Sequence, residues 1–158
     1  MAKRQIITTG DEILREKAKI VTEFNDKLIE LLEDMRETML DAKGVGLAAP
    51  QVGILKRVAV VSADEGKTVY ELVNPRIIKS SGSQIGLEGC LSIPDCNGYV
   101  ERPLKLTVEA QDRRGKPIKI KTGEDPFVTV AFCHELDHLD GILYTDKVIP
   151  DYEPTKNE

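Results

Sequence analysis

The first strong hydrophobic pattern along the chain lies in residues 26–42. Apolar residues recur there every three or four positions, as on one face of a helix: Leu28, Leu31, Leu32, Met35 and Met39. Asn25 or Asp26 can cap the start of this helix, and Gly44 stands where a C′ glycine would end it. The pattern therefore predicts a long amphipathic helix, and residues 11–18 predict a shorter helix before it.

From about residue 56 the pattern changes to segments rich in Val, Ile and Thr. Several of these segments alternate apolar and polar residues, which is typical of strands with one buried face: 56–63, 68–80, 104–112 and 116–122. Gly115 lies between the last two segments and indicates a hairpin turn. The middle of the chain is therefore predicted to be antiparallel β-structure.

A second long helix is predicted from Pro126 to about Asp140, ending before Gly141. Asp125 can cap its start, and Pro126 suits the first helical position. Its early residues 128–130, Val-Thr-Val, are weak helix formers, so packing must stabilise the helix and we expect it to be buried. Helix, antiparallel strands and helix make an α+β fold. We expect one catalytic domain over residues 1–150 and a short polar tail over 151–158.

Composition narrows the classes of protein that fit. The chain has 158 residues, 41% of them hydrophobic and 31% charged, the balance of a soluble single-domain protein. Its net charge of −5 argues against a general nucleic-acid surface. No apolar run is long enough for a membrane span, and no signal-peptide pattern follows the basic start, so we expect a cytoplasmic protein. Three cysteines favour thiols or metal ligands over disulfides, and we expect Cys96 to be a small, half-buried apolar residue.

The chemistry of the chain is concentrated in the predicted second helix. Its two histidines, His134 and His138, are the only ones in the sequence. Four residues advance a helix by about 400°, so the two imidazoles point within about 40° of each other and about 6 Å apart along the axis. Glu135 lies about 60° from His138, at the edge of that face. This H-E-x-x-H spacing suits a metal that acidifies a water while the carboxylate takes the proton.

Two imidazoles leave such a metal one protein ligand short. The metzincin pattern would need a third histidine at position 144, which is Tyr144. The thermolysin pattern needs a downstream glutamate on a helix, and only Glu153 and Glu158 remain, in the polar tail. The ligand is therefore expected upstream. Cys133 would point about 100° away from the first histidine. Cys90, flanked by glycine, is the best thiolate candidate.

The segment 44–53, Gly-Val-Gly-Leu-Ala-Ala-Pro-Gln-Val-Gly, resembles a dinucleotide fingerprint only superficially. That fingerprint needs a strand before it and a helix after it, whereas here a helix precedes it and Pro50 follows. A tight loop of small residues is the simpler prediction. Gln51 is its only polar side chain and could donate a hydrogen bond into a site.

Three stretches together resemble the three motifs of bacterial peptide deformylases, in the same order and with similar spacing. They are Gly-Val-Gly-Leu-Ala-Ala-Pro-Gln at 44–51, Glu-Gly-Cys-Leu-Ser-Ile-Pro at 88–94 and His-Glu-Leu-Asp-His at 134–138. The segments 10–18 and 112–120 are also similar to that family, so the resemblance covers nearly the whole chain. It implies antiparallel sheets packed around a central helix that carries the H-E-x-x-H motif.

The resemblance also implies a reaction, a metal and residue roles. Such enzymes remove the N-formyl group from the initiator methionine of newly synthesised proteins and release formate. Cys90, His134 and His138 would bind the metal, Fe²⁺ first and Ni²⁺, Co²⁺ or Zn²⁺ as alternatives. Glu135 would be the general acid and base. The backbone N–H of Leu91 and the side chain of Gln51 would stabilise the oxyanion.

Substrate contacts follow from the same resemblance. They are expected at residues in the three motifs and at the start of the second helix: Gly44, Val45, Gly46, Glu88, Gly89, Phe127, Val130 and Ala131. Glu88 and Arg102 match a charged pair of the family. Cys133 departs from the common pattern of the family before the first histidine. Gly86 replaces a frequent bulky apolar residue near the methionine pocket, so the shape of that pocket is left open.

The expected partners are N-formylmethionyl nascent peptides, without a membrane or a specific nucleic acid. We expect only transient proximity to the ribosome, since the tail shows no pattern of a docking helix. The alternative reading is a non-catalytic metal-binding or peptide-binding module on the same fold.

Overall fold

The computed structural model describes residues 2–153. It contains two helices, α1 (Asp26–Asp41) and α2 (Pro126–Leu139), and short 3₁₀ turns at Glu12–Arg15, Ala49–Val52 and Tyr144–Asp146. The strands are β1 (Gly46–Ala48), β2 (Val58–Val61), β3 (Tyr70–Ser81), β4 (Gln84–Cys90), β5 (Ile93–Arg102), β6 (Lys105–Gln111) and β7 (Pro117–Lys121). Neither helix of the described part is long and apolar enough to cross a membrane.

Two antiparallel sheets organise the strands. One has five strands in the order β1-β2-β3-β6-β7, and the other is the hairpin β4–β5. The predicted α+β class is confirmed, and the four predicted strand segments correspond to β2, β3, β6 and β7. Strands β1, β4 and β5 were not predicted. The predicted β6–β7 hairpin turn is confirmed, since Gly115 adopts a positive φ of 87°.

The core is formed where the two helices cover opposite faces of β2. Val58 and Val60 pack with the apolar face of α1. Val61 packs in the cluster that includes residues of α2, and Ala59 packs in another that includes Leu139. Burial on both faces explains why β2 is a continuous apolar run instead of an alternating one. The strand thereby fixes α2 on one side of the sheet and α1 on the other.

The helix ends are set by local capping, with one correction to the predicted ends. Asn25 caps α1 by accepting a hydrogen bond from the backbone N–H of Leu28 at 3.1 Å. The left-handed C′ residue of α1 is Lys43, at φ 57°, and not Gly44. Gly44 follows it and donates its N–H to the carbonyl of Met39 at 2.9 Å. The pattern is a Schellman motif displaced by one residue from the predicted position.

The other two predicted helices differ in outcome. Asp125 caps α2, as predicted, and Gly141 ends it with a positive φ of 74°. The predicted first helix over residues 11–18 is wrong in extent, because only the 3₁₀ turn Glu12–Arg15 forms there. Four residues are too few to repay the nucleation of an α-helix.

Candidate metal centre and active site

Three potential metal ligands converge between the hairpin β4–β5 and helix α2. Cys90 is the last residue of β4, and its Sγ lies 3.4 Å from Nε2 of His138. The Nε2 atoms of His138 and His134 lie 3.3 Å apart. The three ligand atoms lie within 4.8 Å of one another. The structure thus brings together the three residues that the sequence proposed as the metal site.

These separations fit a bound transition metal. Tetrahedral coordination by two imidazoles and a thiolate places the nitrogens about 3.3 Å apart and sulfur about 3.5 Å from each nitrogen. The two observed separations involving His138 are 3.3 and 3.4 Å. Two imidazole nitrogens and a sulfur facing one point are also the donors that a borderline-soft divalent ion prefers. The donor set therefore fits one divalent metal.

Helix α2 is the buried element that presents the two histidines. The helix is apolar on most sides, as a central helix must be, and the exposed fractions of His134 and His138 are 8% and 1%. Thr129, a weak helix former near its start, is fully buried, and its hydroxyl lies 2.6 Å from that of Thr122. Tertiary contacts thus hold the first turns of α2, as the sequence required.

A buried ion network orients the imidazole of His134. Nδ1 of His134 lies 3.1 Å from Oε1 of Glu88. Arg102 donates two hydrogen bonds to Glu88, at 2.8 and 2.9 Å, and a third to Asp137 at 2.6 Å. A proton held on Nδ1 by Glu88 leaves the Nε2 lone pair of His134 directed at the metal position. The expected charged pair of Glu88 and Arg102 is thus present, and it contacts the candidate ligand His134.

The local pKa values follow from burial and these contacts. Burial alone would raise the pKa of Glu88, but the hydrogen bonds from Arg102 and His134 outweigh it and the pKa is lowered. Burial also acts to lower the pKa of His134, but hydrogen bonds to Cys90 and Glu88 raise it to about 10. A metal would therefore have to displace the proton on Nε2 of His134 when it binds. Burial, with the nearby charges of His134 and Arg102, lowers the pKa of His138 to about 3. His138 is therefore a neutral imidazole at physiological pH.

Glu135 lies against the backbone of β1 beside the ligands. Its side chain is buried, and its Oε1 has no hydrogen-bond partner among residues 2–153. Burial raises its pKa to about 7. A Cβ added at Gly46 would lie only 2.4 Å from Oε2 of Glu135, so glycine is needed at this position for close approach. A carboxyl that titrates near neutrality is suited to both taking and giving a proton.

Gln51 is held in one orientation at the same site. Its Oε1 accepts the N–H of Ala48 at 2.9 Å, which assigns the other end of the amide as the donor. Nε2 donates to Oγ of Ser92 at 3.1 Å and lies 3.7 Å from Sγ of Cys90. The 3₁₀ turn Ala49–Val52 thus directs an N–H group towards the metal position.

A cavity of about 360 Å³ opens above these groups. Its lining includes all eight residues predicted to contact substrate: Gly44, Val45, Gly46, Glu88, Gly89, Phe127, Val130 and Ala131. Gln51, Cys90, Leu91, His134 and Glu135 line it as well. The structure shows that these residues line the same cavity. Their individual roles remain predictions.

Comparisons with known proteins place the chain in a family. The family model described as polypeptide deformylase matches residues 3–153. The chain belongs to the peptide deformylase family. The peptide deformylase of Heliobacterium modesticaldum is 55% identical over 94% of this chain and 95% of that protein, and that of Caldicellulosiruptor bescii is 52% identical over 94% and 87%.

Solved deformylase structures have the same fold. The enzyme from Legionella pneumophila superposes with a TM-score of 0.90 at 43% identity, over 94% of this chain and 88% of the other. That from Thermotoga maritima gives 0.89 at 37% identity, over 95% and 100%. The chain is therefore a metal-dependent amide hydrolase of the deformylase type, with the antiparallel sheets and central helix expected from its motifs.

Two lining residues of this deformylase site were not identified from sequence. Leu87 lines the cavity with 55% of its surface exposed, and Lys43 lies at its rim. Leu87 and the predicted Gly89 are two residues apart on β4, so strand alternation would have indicated Leu87 if β4 had been recognised. Gly86, which the sequence singled out, is not among the lining residues.

The two remaining cysteines lie outside the group of three candidate metal ligands. Cys133 is buried in the apolar cluster around α2, and burial raises its thiol pKa to about 11. Cys96 is exposed on β5, so the prediction that it is half-buried is wrong. Its strand belongs to a two-stranded sheet, which leaves one face uncovered.

Proposed function

We propose that Cys90, His134 and His138 hold one metal ion and that Glu135 transfers the proton in deformylation. The substrate is the N-formyl group on the initiator methionine of newly synthesised proteins, and formate is released. The observation that supports this is a buried carboxylate oxygen of Glu135, without a hydrogen-bond partner in the described part of the chain, beside three convergent candidate ligand atoms. Residues 1–150 would form the single catalytic domain.

The metal and the protein side chains would have separate roles in hydrolysis. A bound divalent metal supplies the Lewis acidity that makes water a nucleophile at neutral pH. Glu135 takes a proton from the attacking water and gives it to the departing amine. Nε2 of Gln51 and the backbone N–H of Leu91 donate hydrogen bonds to the developing oxyanion. These hydrogen bonds strengthen as negative charge forms on the oxygen. Glu88 keeps the imidazole of His134 in its ligating orientation.

The cavity would bind the formyl-methionyl peptide in an extended form. Val45, Phe127, Val130 and Ala131 would form the apolar lining for the methionine side chain. The glycines of the 44–46 and 88–90 segments allow peptide backbone to approach closely. The partners would be nascent peptides in the cytoplasm, with transient proximity to the ribosome and no membrane.

The metal is proposed to be Fe²⁺, with Ni²⁺, Co²⁺ or Zn²⁺ also able to occupy this donor set. Elemental analysis of anaerobically purified protein tests the identity of the metal. Peroxide should inactivate the Fe²⁺ form faster than a Ni²⁺-substituted form, because peroxide can oxidise Fe²⁺ whereas oxidation of the metal is excluded in the Ni²⁺ form. Equal rates of inactivation would contradict iron as the sensitive component.

Replacement of Glu135 by alanine tests the proton-transfer role. The E135A protein should retain its metal and lose at least about 100-fold in formate release from a formyl-Met tripeptide. Normal turnover with bound metal would overturn the role of Glu135. The alternative of a non-catalytic binding module predicts no formate from the unmodified protein with any of the four metals, which the same assay measures.

A further inference from the structure

One broad face of the five-stranded sheet is strongly basic, although the protein as a whole is acidic. Direct cross-strand partners share a face, and Lys79, Thr107 and Lys121 form one such row. The neighbouring rows add Ser81 with Lys105, and Arg76 with Glu109 and Lys119. We call this the lysine face, with the members Arg76, Lys79, Ser81, Lys105, Thr107, Glu109, Lys119 and Lys121.

The lysine face concentrates charge of one sign. Five cations and one carboxylate give it +4, so the remaining residues of this −5 chain carry −9. Glu109 pairs with Arg76 at 3.5 Å. Within residues 2–153, none of the four lysines of the face has a carboxylate within salt-bridge distance. The four lysines line a shallow groove of about 470 Å³ that includes no acidic residue.

Protection of a sheet edge accounts for only part of this arrangement. Lysines on an edge strand discourage pairing with other chains, and Lys119 and Lys121 lie on the edge strand β7. Lys79 lies on the part of β3 beyond its pairing with β2, which ends at Val73, so this lysine also stands at an open edge. Lys105 lies on the interior strand β6. Edge protection does not require four lysines to line one groove without a carboxylate among its described lining residues, and such a groove fits a ligand of opposite charge.

We propose that the lysine face binds the phosphate backbone of RNA without sequence specificity. Neighbouring strands lie about 4.8 Å apart, and alternate residues of one strand about 7 Å apart, so the four lysines, which occupy three rows, span roughly 15 Å. One strand of nucleic acid carries a charge about every 3.4 Å along its axis, so about four phosphates fit this span. None of the members is aromatic, which favours backbone contacts over base stacking.

The choice of RNA among polyanions rests on the proposed function, because newly synthesised peptides are met where RNA is concentrated. The lysine face lies on the same side of the sheet as α1, since Val73 packs with α1 and its cross-strand partner Gln111 continues that face. Helix α2 packs on the opposite side through Val108. RNA binding and deformylation can therefore occur together.

The test is fluorescence anisotropy with a labelled 20-nucleotide RNA of mixed sequence and the metal-loaded protein. With about four phosphates neutralised, the slope of log K against log salt should be about −3, and binding should weaken about 50-fold between 50 and 200 mM salt. The variant K79Q/K105Q/K121Q should lose at least about 10-fold in affinity at 50 mM salt, with a slope near −1. Unchanged affinity in this variant would overturn the proposal.

A matched variant separates the face from net charge. K17Q/K27Q/K67Q removes the same charge at three exposed positions away from the sheet, and it should bind RNA within about twofold of the unmodified protein. An equal loss in both variants would mean only long-range attraction and would refute a local site.

Two further measurements distinguish RNA from other polyanions and separate the test of RNA binding from the test of deformylation. Binding to poly-glutamate or to vesicles of phosphatidylcholine with 30% phosphatidylserine, but not to RNA, would also overturn the proposal. Both triple variants should release formate at the normal rate, because none of the substituted residues lines the catalytic cavity. Absent formate release from the unmodified protein would instead count against the proposed function and leave the RNA result to stand separately.

Discussion

A single methyl group added at Gly46 should disable catalysis without removing the metal. The new Cβ would lie 2.4 Å from Oε2 of Glu135, and 2.8 Å from its Cδ and Cγ, whereas ordinary contact begins at 3.4 Å. The backbone of Gly46 pairs with that of Val61 in the sheet, so it cannot easily move away from Glu135. The carboxylate must then move by about 1 Å, and misplacement on that scale costs about 100-fold in rate.

The expected result for G46A is therefore a kcat about 100-fold lower, equivalent to about 2.7 kcal/mol in the activation barrier. KM should change little, and elemental analysis should show normal metal content, because the three ligands are untouched. Formate release from a formyl-Met tripeptide measures the rate. Overpacking can also cost about 1–3 kcal/mol of stability, so urea unfolding of G46A should be measured alongside.

The matched control is Gly86→Ala on β4. A Cβ at Gly86 meets nothing within 4 Å, so kcat should stay within about twofold of the unmodified enzyme. If folded G46A also kept its kcat within about threefold, the inference that Glu135 needs its present position against β1 would be refuted.

The remaining predictions concern the ion pairs. Glu88→Gln should weaken metal affinity about 10–100-fold in a chelator competition, whereas the exposed Glu101→Gln should not; equal affinities would exclude an orienting role for Glu88. Arg102→Met removes the cation paired with the buried carboxylate of Glu88, leaving it only the contact with His134, and should cost about 3–5 kcal/mol in urea unfolding; a loss below about 1 kcal/mol would contradict this. The hydrogen bond from Arg15 lowers the pKa of Asp146, so this carboxylate stabilises the fold above its unfolded pKa. The stability advantage over Asp146→Asn, at most about 1 kcal/mol, should vanish as pH falls through the lowered pKa; a pH-independent difference would exclude the charge as its source.

Much of the fold could be predicted because its signals are local. The i, i+3, i+4 pattern identified α1, and Asn25 and Asp125 gave the starts of both helices. The end of α1 was displaced by one residue, because Lys43 adopts the left-handed conformation that glycine usually takes. A lysine can adopt this unfavourable backbone conformation when the hydrogen bonds of the Schellman motif offset its energy. Residue preferences alone do not predict those hydrogen bonds.

The missed strands depended on partners far along the chain. Strand β1 has only three residues and forms because β2 offers paired backbone groups. The β4–β5 hairpin is rich in glycine and mostly exposed, so it has no consistent alternation of apolar and polar residues to predict it. Without β4, the position of Leu87 in the cavity wall could not be inferred.

The sequence by itself determined the chemistry that one helix can hold. The spacing of His134, Glu135 and His138 places two imidazoles on one face with a carboxylate at its edge, because helical geometry is fixed within a few residues. Tertiary structure decided that Sγ of Cys90 lies 3.4 Å from His138 across 48 positions of the chain. Such a contact depends on how β4 packs against α2, and this packing cannot be derived from local sequence patterns. The lysine face has the same origin, because only strand register brings its cations together.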